Sequence, residues 1–276
     1  MLWQSSMATA STSQSLPVSR PRLLPREHGA CFQLGLPLAT ALAITGPGAA
    51  ALWLTAAALA CFLAHKPLLV VLGHRGARRR EETGSLASRW GLTLAGLAAA
   101  CGVLGILGLS SAARPYLALP VVLGAEVLLM TWGRQGRTLS CEVLAALALG
   151  ACAVPVALAG DLAQGAALSM WGTFALGFSL ATVAVHIVVR SHKSRAERNL
   201  LRLAGLLTGA LGLAGAVGWA WSADVSSWRV AALLPTPALA LGTCAMLPSP
   251  RHLKRLGWSF AATGLLTAVL LGAGLA

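Results

Sequence analysis

Long apolar runs recur along almost the whole chain, each about as long as a helix needs to be to cross a bilayer. A span takes roughly 20 mostly apolar residues to traverse ~30 Å of hydrocarbon. From His28 onward such runs follow one another, separated only by short charged or Pro/Gly-rich breaks. Hydrocarbon offers no water to satisfy backbone groups, so each run must be helical. With 57% hydrophobic residues, 11% charged residues and a mean hydropathy of +0.74, one soluble core could not bury this surface, and lipid must cover it.

The breaks divide the chain into spans at His28–Thr45, Ala49–Ala64, Trp90–Leu109, Tyr116–Trp132, Leu139–Ala159, Ala166–Val189, Leu203–Trp221, Val230–Leu247 and Leu256–Leu275. The sequence therefore predicts an all-α, polytopic transmembrane helix bundle of about nine spans, occupying residues 25–276. Between spans one and two, Gly46, Pro47 and Gly48 leave little room for a loop, so a re-entrant bend is the alternative there. Residues 1–24 are rich in Ser, Thr, Pro and Arg without a continuous apolar centre, and read as a flexible cytoplasmic tail rather than a secretory signal.

A net charge of +13 would suggest nucleic acid in a soluble protein. Here the cations sit in short breaks between spans, where they set orientation, so no nucleic-acid partner is expected. Of the 21 Lys and Arg residues, all but Arg114 and Arg229 fall on one side if the spans alternate. The positive-inside bias makes that side the cytoplasm. The N-terminus is then cytoplasmic, the C-terminus outside, and the chain integral to the cell's cytoplasmic membrane. Tryptophans agree without using charge: Trp90, Trp132 and Trp258 fall near inner ends, and Trp53, Trp171, Trp219, Trp221 and Trp228 near outer ends. Glycine strips at Gly205, Gly209, Gly212, Gly215 and Gly218, and at Gly102, Gly105 and Gly108, are expected to pack helices closely.

Cys31, Cys61, Cys101, Cys141, Cys152 and Cys244 stand singly, with no CxxC or Cys/His spacing. Neither a disulfide framework nor a metal site is expected. There is no GxGxxG, no Walker loop and no His spacing for paired haem ligation, so the sequence names no cofactor.

At the mouth of the first span stands Pro25-Arg26-Glu27-His28-Gly29-Ala30-Cys31. A carboxylate in a first helical turn is favoured by the helix dipole, and Gly29 permits close approach of a backbone or ligand. This stretch resembles the P(R/K)EHGAW signature that opens proteins of the YwiC-like family, multi-span bacterial membrane proteins. Cys31 takes the place of the usual Trp. By position, Arg26, Glu27 and His28 are what the resemblance carries over.

The predicted architecture is also similar to that of UbiA-type prenyltransferases, which have nine helices and two polar active-site segments after helices two and six. Here the two most charged internal segments, 64–82 and 186–199, also follow spans two and six. The family's aspartate-rich motifs hold Mg²⁺ and diphosphate, because hard cations take carboxylate oxygens. Neither segment of this chain contains an Asp. What they offer is direct positive charge. His186, Arg190 and Lys193 share a helix face at i, i+4 and i+7, with His192 beside them, and His65, Lys66, His74 and Arg75 follow span two. Together they are candidate substrate-binding residues for an anionic headgroup. The plainer alternative for each cation is snorkelling to lipid headgroups.

Glu126 lies inside the fourth span, where a carboxylate is expensive and must face a polar cavity, pair, or be protonated. With Glu27 and His28 it completes the candidate proton-handling, catalytic set. Glu142, in the first turn of the fifth span near Arg137, reads as an interfacial partner.

The favoured function is a UbiA-like protein that binds or acts on an isoprenoid, or another phosphate-bearing membrane lipid, at the cytoplasmic face. The alternatives are a transporter or transport accessory for protons or a small solute, and a structural subunit of a membrane assembly.

Overall fold

The computed structural model describes residues 28–73, 77–133, 135–136, 138–193, 197–222 and 226–275. They form α1 (His28–Thr45), α2 (Ala49–Val71), α3 (Ala77–Leu107), α4 (Ala118–Trp132), α5 (Leu139–Ala151), α6 (Ala153–Ala159), α7 (Gln164–Lys193), α8 (Arg198–Ser222), α9 (Ser227–Ala232), α10 (Pro235–Met246) and α11 (Leu253–Leu275). Short 3₁₀ turns, Arg114–Leu117 and Pro250–His252, lead into α4 and α11. Among the described residues there is no strand.

Two pairs of these helices are single spans interrupted by proline. Pro155 has no N–H to give the carbonyl of Ala151, and the helix breaks at Cys152 between α5 and α6. Pro235 and Pro237 act likewise after Leu233 and Leu234, separating α9 from α10. Pro37 sits inside an unbroken α1, and Pro120 falls in the first turn of α4, where its missing donor costs nothing.

Eight helical segments among the described residues are long and apolar enough to cross a membrane, and Gly29–Thr45 is a shorter apolar helix. This protein is a multi-span, all-helical membrane protein. The expected nine spans therefore stand as eight of full length and one shorter first helix.

Sequence breaks at charge cut some helices short. The second helix runs on through His65 and Lys66 to Val71, and the third starts at Ala77 rather than Trp90. Charge expels a residue from hydrocarbon but does not unwind it, because Arg and Glu are good helix formers. At 31 residues, α3 is roughly 46 Å long and outreaches the hydrocarbon.

The chain turns sharply after α1. Gly46 adopts φ 80 and its N–H bonds the carbonyl of Leu42 at 2.9 Å, a left-handed helix stop that glycine adopts without strain. Contacts then fix the direction of each rod. Gly160 lies against Thr45, Gly108 against Ala50, Gly274 against Trp228 and Arg229, and the Tyr116 hydroxyl lies 2.9 Å from Gln164 Oε1. These put the α1–α2, α3–α4, α6–α7 and α8–α9 links at one end. At the other end Phe32 meets Trp258, Gly91 meets Pro67, and Gly205 meets Ile187 and Cys244. α1 and α2 thus traverse the bundle in opposite directions, and the first turn is no re-entrant bend.

The core gathers around α1 and α7. Leu34, Leu38 and Ala41 of α1 bury against Val154 and Val156 of α6, Met170, Phe174 and Phe178 of α7, and Leu271 of α11. A second cluster joins Leu180, Ala184, Ile187 and Val188 of α7 to Ala240, Cys244 and Leu247 of α10. The glycine strips pack as expected only in part. Gly105 and Gly108 abut Leu54 and Ala50, and Gly205, Gly209 and Gly212 abut Ile187, Leu241 and Leu176, but Gly215 and Gly218 face open space.

Candidate functional site

The end marked by Phe32 and Trp258 is the basic end. Lys66, Arg190, Lys193, Arg198, Arg202, Arg251, Lys254 and Arg255 all lie in the helix turns or links that belong to it. Arg114 and Arg229 belong to the opposite end.

Each candidate residue has its place on this frame. Glu27, His74 and Arg75 lie outside the described residues, and His28 is the first residue of α1. His65 and Lys66 are half-buried in the last turns of α2. On α7, His186 is half-buried, and Arg190 and His192 are exposed one turn or more nearer the basic end, with Lys193 as the last helical residue. The Arg190 guanidinium donates to Glu197 Oε2 at 3.5 Å, a pair whose side chains are 57% and 48% exposed. An ion pair so open contributes under about 1 kcal/mol but lessens the free charge of Arg190. The Nδ1 of His192 lies 2.9 Å from the carbonyl oxygen of Val188, which turns that imidazole back onto its own helix.

The face of α7 that bears His186 is distinctive. Gly172, Ser179, His186 and Arg190 recur at helical spacing; Gly172 and Arg190 are exposed, Ser179 and His186 half-buried. Neighbouring faces of α7 pack on α5 through Trp171 and on α8 through Leu176. This face of α7, which also carries half-buried Leu176 and Val183, is partly covered along the helix and becomes exposed and cationic at the basic end.

The two basic segments do not form one cluster by direct helix packing. α2 and α3 pair with each other, α2 also packs on α6, and α6 on α7; α7 and α8 pair beside α10. Glu126 stands apart from both. It is exposed on α4, a helix whose packing is mainly against α5, with no described packing of any extent on α1, α2 or α7. Among the described residues, no group of three or more His, Cys, Asp or Glu is placed to hold a metal ion.

Sequence reasoning passed over one neighbourhood. The Phe32 ring meets Trp258 edge-on with centroids 6.3 Å apart, and a Cβ on Gly264 would lie 3.0 Å from Leu36 Cδ2. α1 and α11 therefore run parallel in a fixed register, which sets position 28 level with Lys254 and Arg255. The spacing within α1 carried no hint of this, because the partner lies more than 200 residues away in sequence.

The opening motif, the register of α1 and the first six helices invite comparison with known proteins. Residues 24–157 match the YwiC-like protein family. The YwiC-like part takes in α1 to α5 and most of α6, with Lys66 and Glu126; His186, Arg190 and the α11 cations lie beyond it. No curated protein and no solved structure matches the chain.

Proposed function

We propose that this YwiC-like membrane protein binds, or acts on, a lipid with an anionic headgroup at its basic end, and that this end faces the cytoplasm. The observation that carries the reading is the α7 face on which half-buried His186 lies one turn from exposed Arg190 at the basic end. A lipid enters such a site sideways, keeping its chain in hydrocarbon while cations meet its phosphate. Isoprenoid and acyl lipids both satisfy this chemistry. Arg190 and Lys193, with Lys66 and Arg75 from the other basic segment, are the proposed headgroup contacts. Glu27, His28 and Glu126 remain the proposed proton-handling groups.

The test is mass spectrometry of the lipids that remain on the purified protein, compared with Arg190→Ala/Lys193→Ala. Loss of an anionic lipid from the double variant supports the site; an identical lipid set counts against it.

A second reading, solute or proton transport, is supported by the two proline-broken spans α5/α6 and α9/α10, which both pack on α7. Interrupted helices flanking a central one are how many transporters present backbone groups to cargo. Cysteine accessibility beside Cys152 and Leu234 that switches between the two membrane faces would favour it over lipid binding.

A further inference from the structure

Among the described residues, nothing covers the side of α1 away from the core. Phe32, Ala39 and Ala43 are exposed and Gly35 and Leu36 half-buried, whereas Leu34, Leu38 and Ala41 on the other side are buried. Positions 28, 32, 35, 39 and 43 recur by threes and fours, so they fall on one face that begins at the motif and runs toward the opposite end. α11 walls this face on one side through Trp258 and Gly264. α2 follows α1 in sequence but packs little against it, so it does not close the face. Small residues at 35, 39 and 43 make it a shallow apolar furrow.

Charge marks one end of that furrow. Arg251, Lys254 and Arg255 are exposed there, level with the start of α1, and none makes a side-chain hydrogen bond or ion pair among the described residues. Arg190 differs, because Glu197 already answers it. On the helical turn Arg251 and Lys254 fall on the same side of the chain as Trp258, which touches α1.

We propose that the α1–α11 furrow seats a phosphate-bearing lipid, with its headgroup held by Arg251 and Lys254 beside the start of α1 and its chain lying over Gly35, Ala39 and Ala43. This rests on the lipid-headgroup reading above and adds, on α11, a second seat beside the one proposed on α7. Cations without a partner among the described residues at one end, and an uncharged furrow behind them, match a molecule that is anionic at one end and apolar along the rest. A free phosphate would use the cations alone.

The full-length protein in vesicles of phosphatidylcholine and phosphatidylglycerol, extracted in mild detergent, gives the readout as phosphatidylglycerol retained per protein. Arg251→Ala/Lys254→Ala is expected to lower retention by about tenfold or more, from the loss of two phosphate contacts. Ala39→Phe, an exposed position that fills the furrow without touching the core, is expected to lower it comparably. Both variants should keep the melting temperature of the parent. Retention lowered by the double variant but not by Ala39→Phe means that the cations bind phosphate alone, and overturns the lipid seat. Retention that falls only with Arg190→Ala/Lys193→Ala overturns the furrow and leaves the wider reading standing. A parent protein that retains no phosphatidylglycerol overturns both.

Discussion

The indole N–H of Trp171 donates to the carbonyl oxygen of Leu147 across 3.1 Å, joining α7 to α5 where both line the core. Gly150 lets the ring lie close, with Trp171 Cδ1 3.5 Å from where a Cβ would stand. Trp171→Phe keeps most of the packing and removes the donor. It is expected to lower stability by about 0.5–1.5 kcal/mol, read as a lower melting temperature in detergent. An unchanged melting temperature would mean that the bond contributes nothing.

The glycine strip of α8 makes a sharper prediction because its two halves differ. A Cβ at Gly205 would collide with Ile187 and lie 2.9 Å from Cys244 Sγ, while Gly218 has open space around it. Gly205→Val should cost about 1–3 kcal/mol by overpacking, whereas Gly218→Ala should be neutral or stabilising. Thermal unfolding of both variants in one detergent checks the contrast, and equal effects would contradict this packing.

The nine rods, their order and the segregation of charge could be read directly from the sequence, since apolar length and cation placement answer to the bilayer alone. His28–Thr45 and Leu139–Ala159 match in their bounds. The ends of α2 and α3 were missed because charge and helix propensity part company at a membrane surface. The site was less legible. Periodicity put His186 and Arg190 on one face of α7, as found, but gave no measure of Glu197 partnering Arg190. It also gave no sign that Phe32 meets Trp258, a contact set by tertiary packing between the two ends of the chain.

Glu126 was expected to face a polar cavity, pair with a basic group or be protonated; it is exposed on α4, with Val121, Val122, Leu128 and Leu129 as exposed neighbours on that helix, a position that fits the protonated form. A carboxyl facing lipid gains nothing for the isolated chain. Glu126→Leu is therefore expected to raise stability, by about 1 kcal/mol or more, and Glu126→Gln by less. Differential scanning fluorimetry of the purified variants is the check. A loss of stability with Glu126→Leu would require a bond that the exposed position does not provide.

Sidedness yields the last prediction. Gln135 and Ser249 are exposed in links at the basic end, and Ser110 and Ala163 in links at the other. With the native thiols removed, single cysteines at these four positions should divide two and two when intact cells are treated with a membrane-impermeant maleimide. Gln135→Cys and Ser249→Cys should be protected, because an excess of Lys and Arg is retained in the cytoplasm. Ser110→Cys and Ala163→Cys should be labelled. The pairing tests the fold and the direction tests the orientation, so the two can fail separately. Labelling of Gln135→Cys without Ser249→Cys would break the alternation of α5 through α10. Labelling of that pair together, with the other pair protected, would invert the protein and place the cations of α7 and α11 outside the cell.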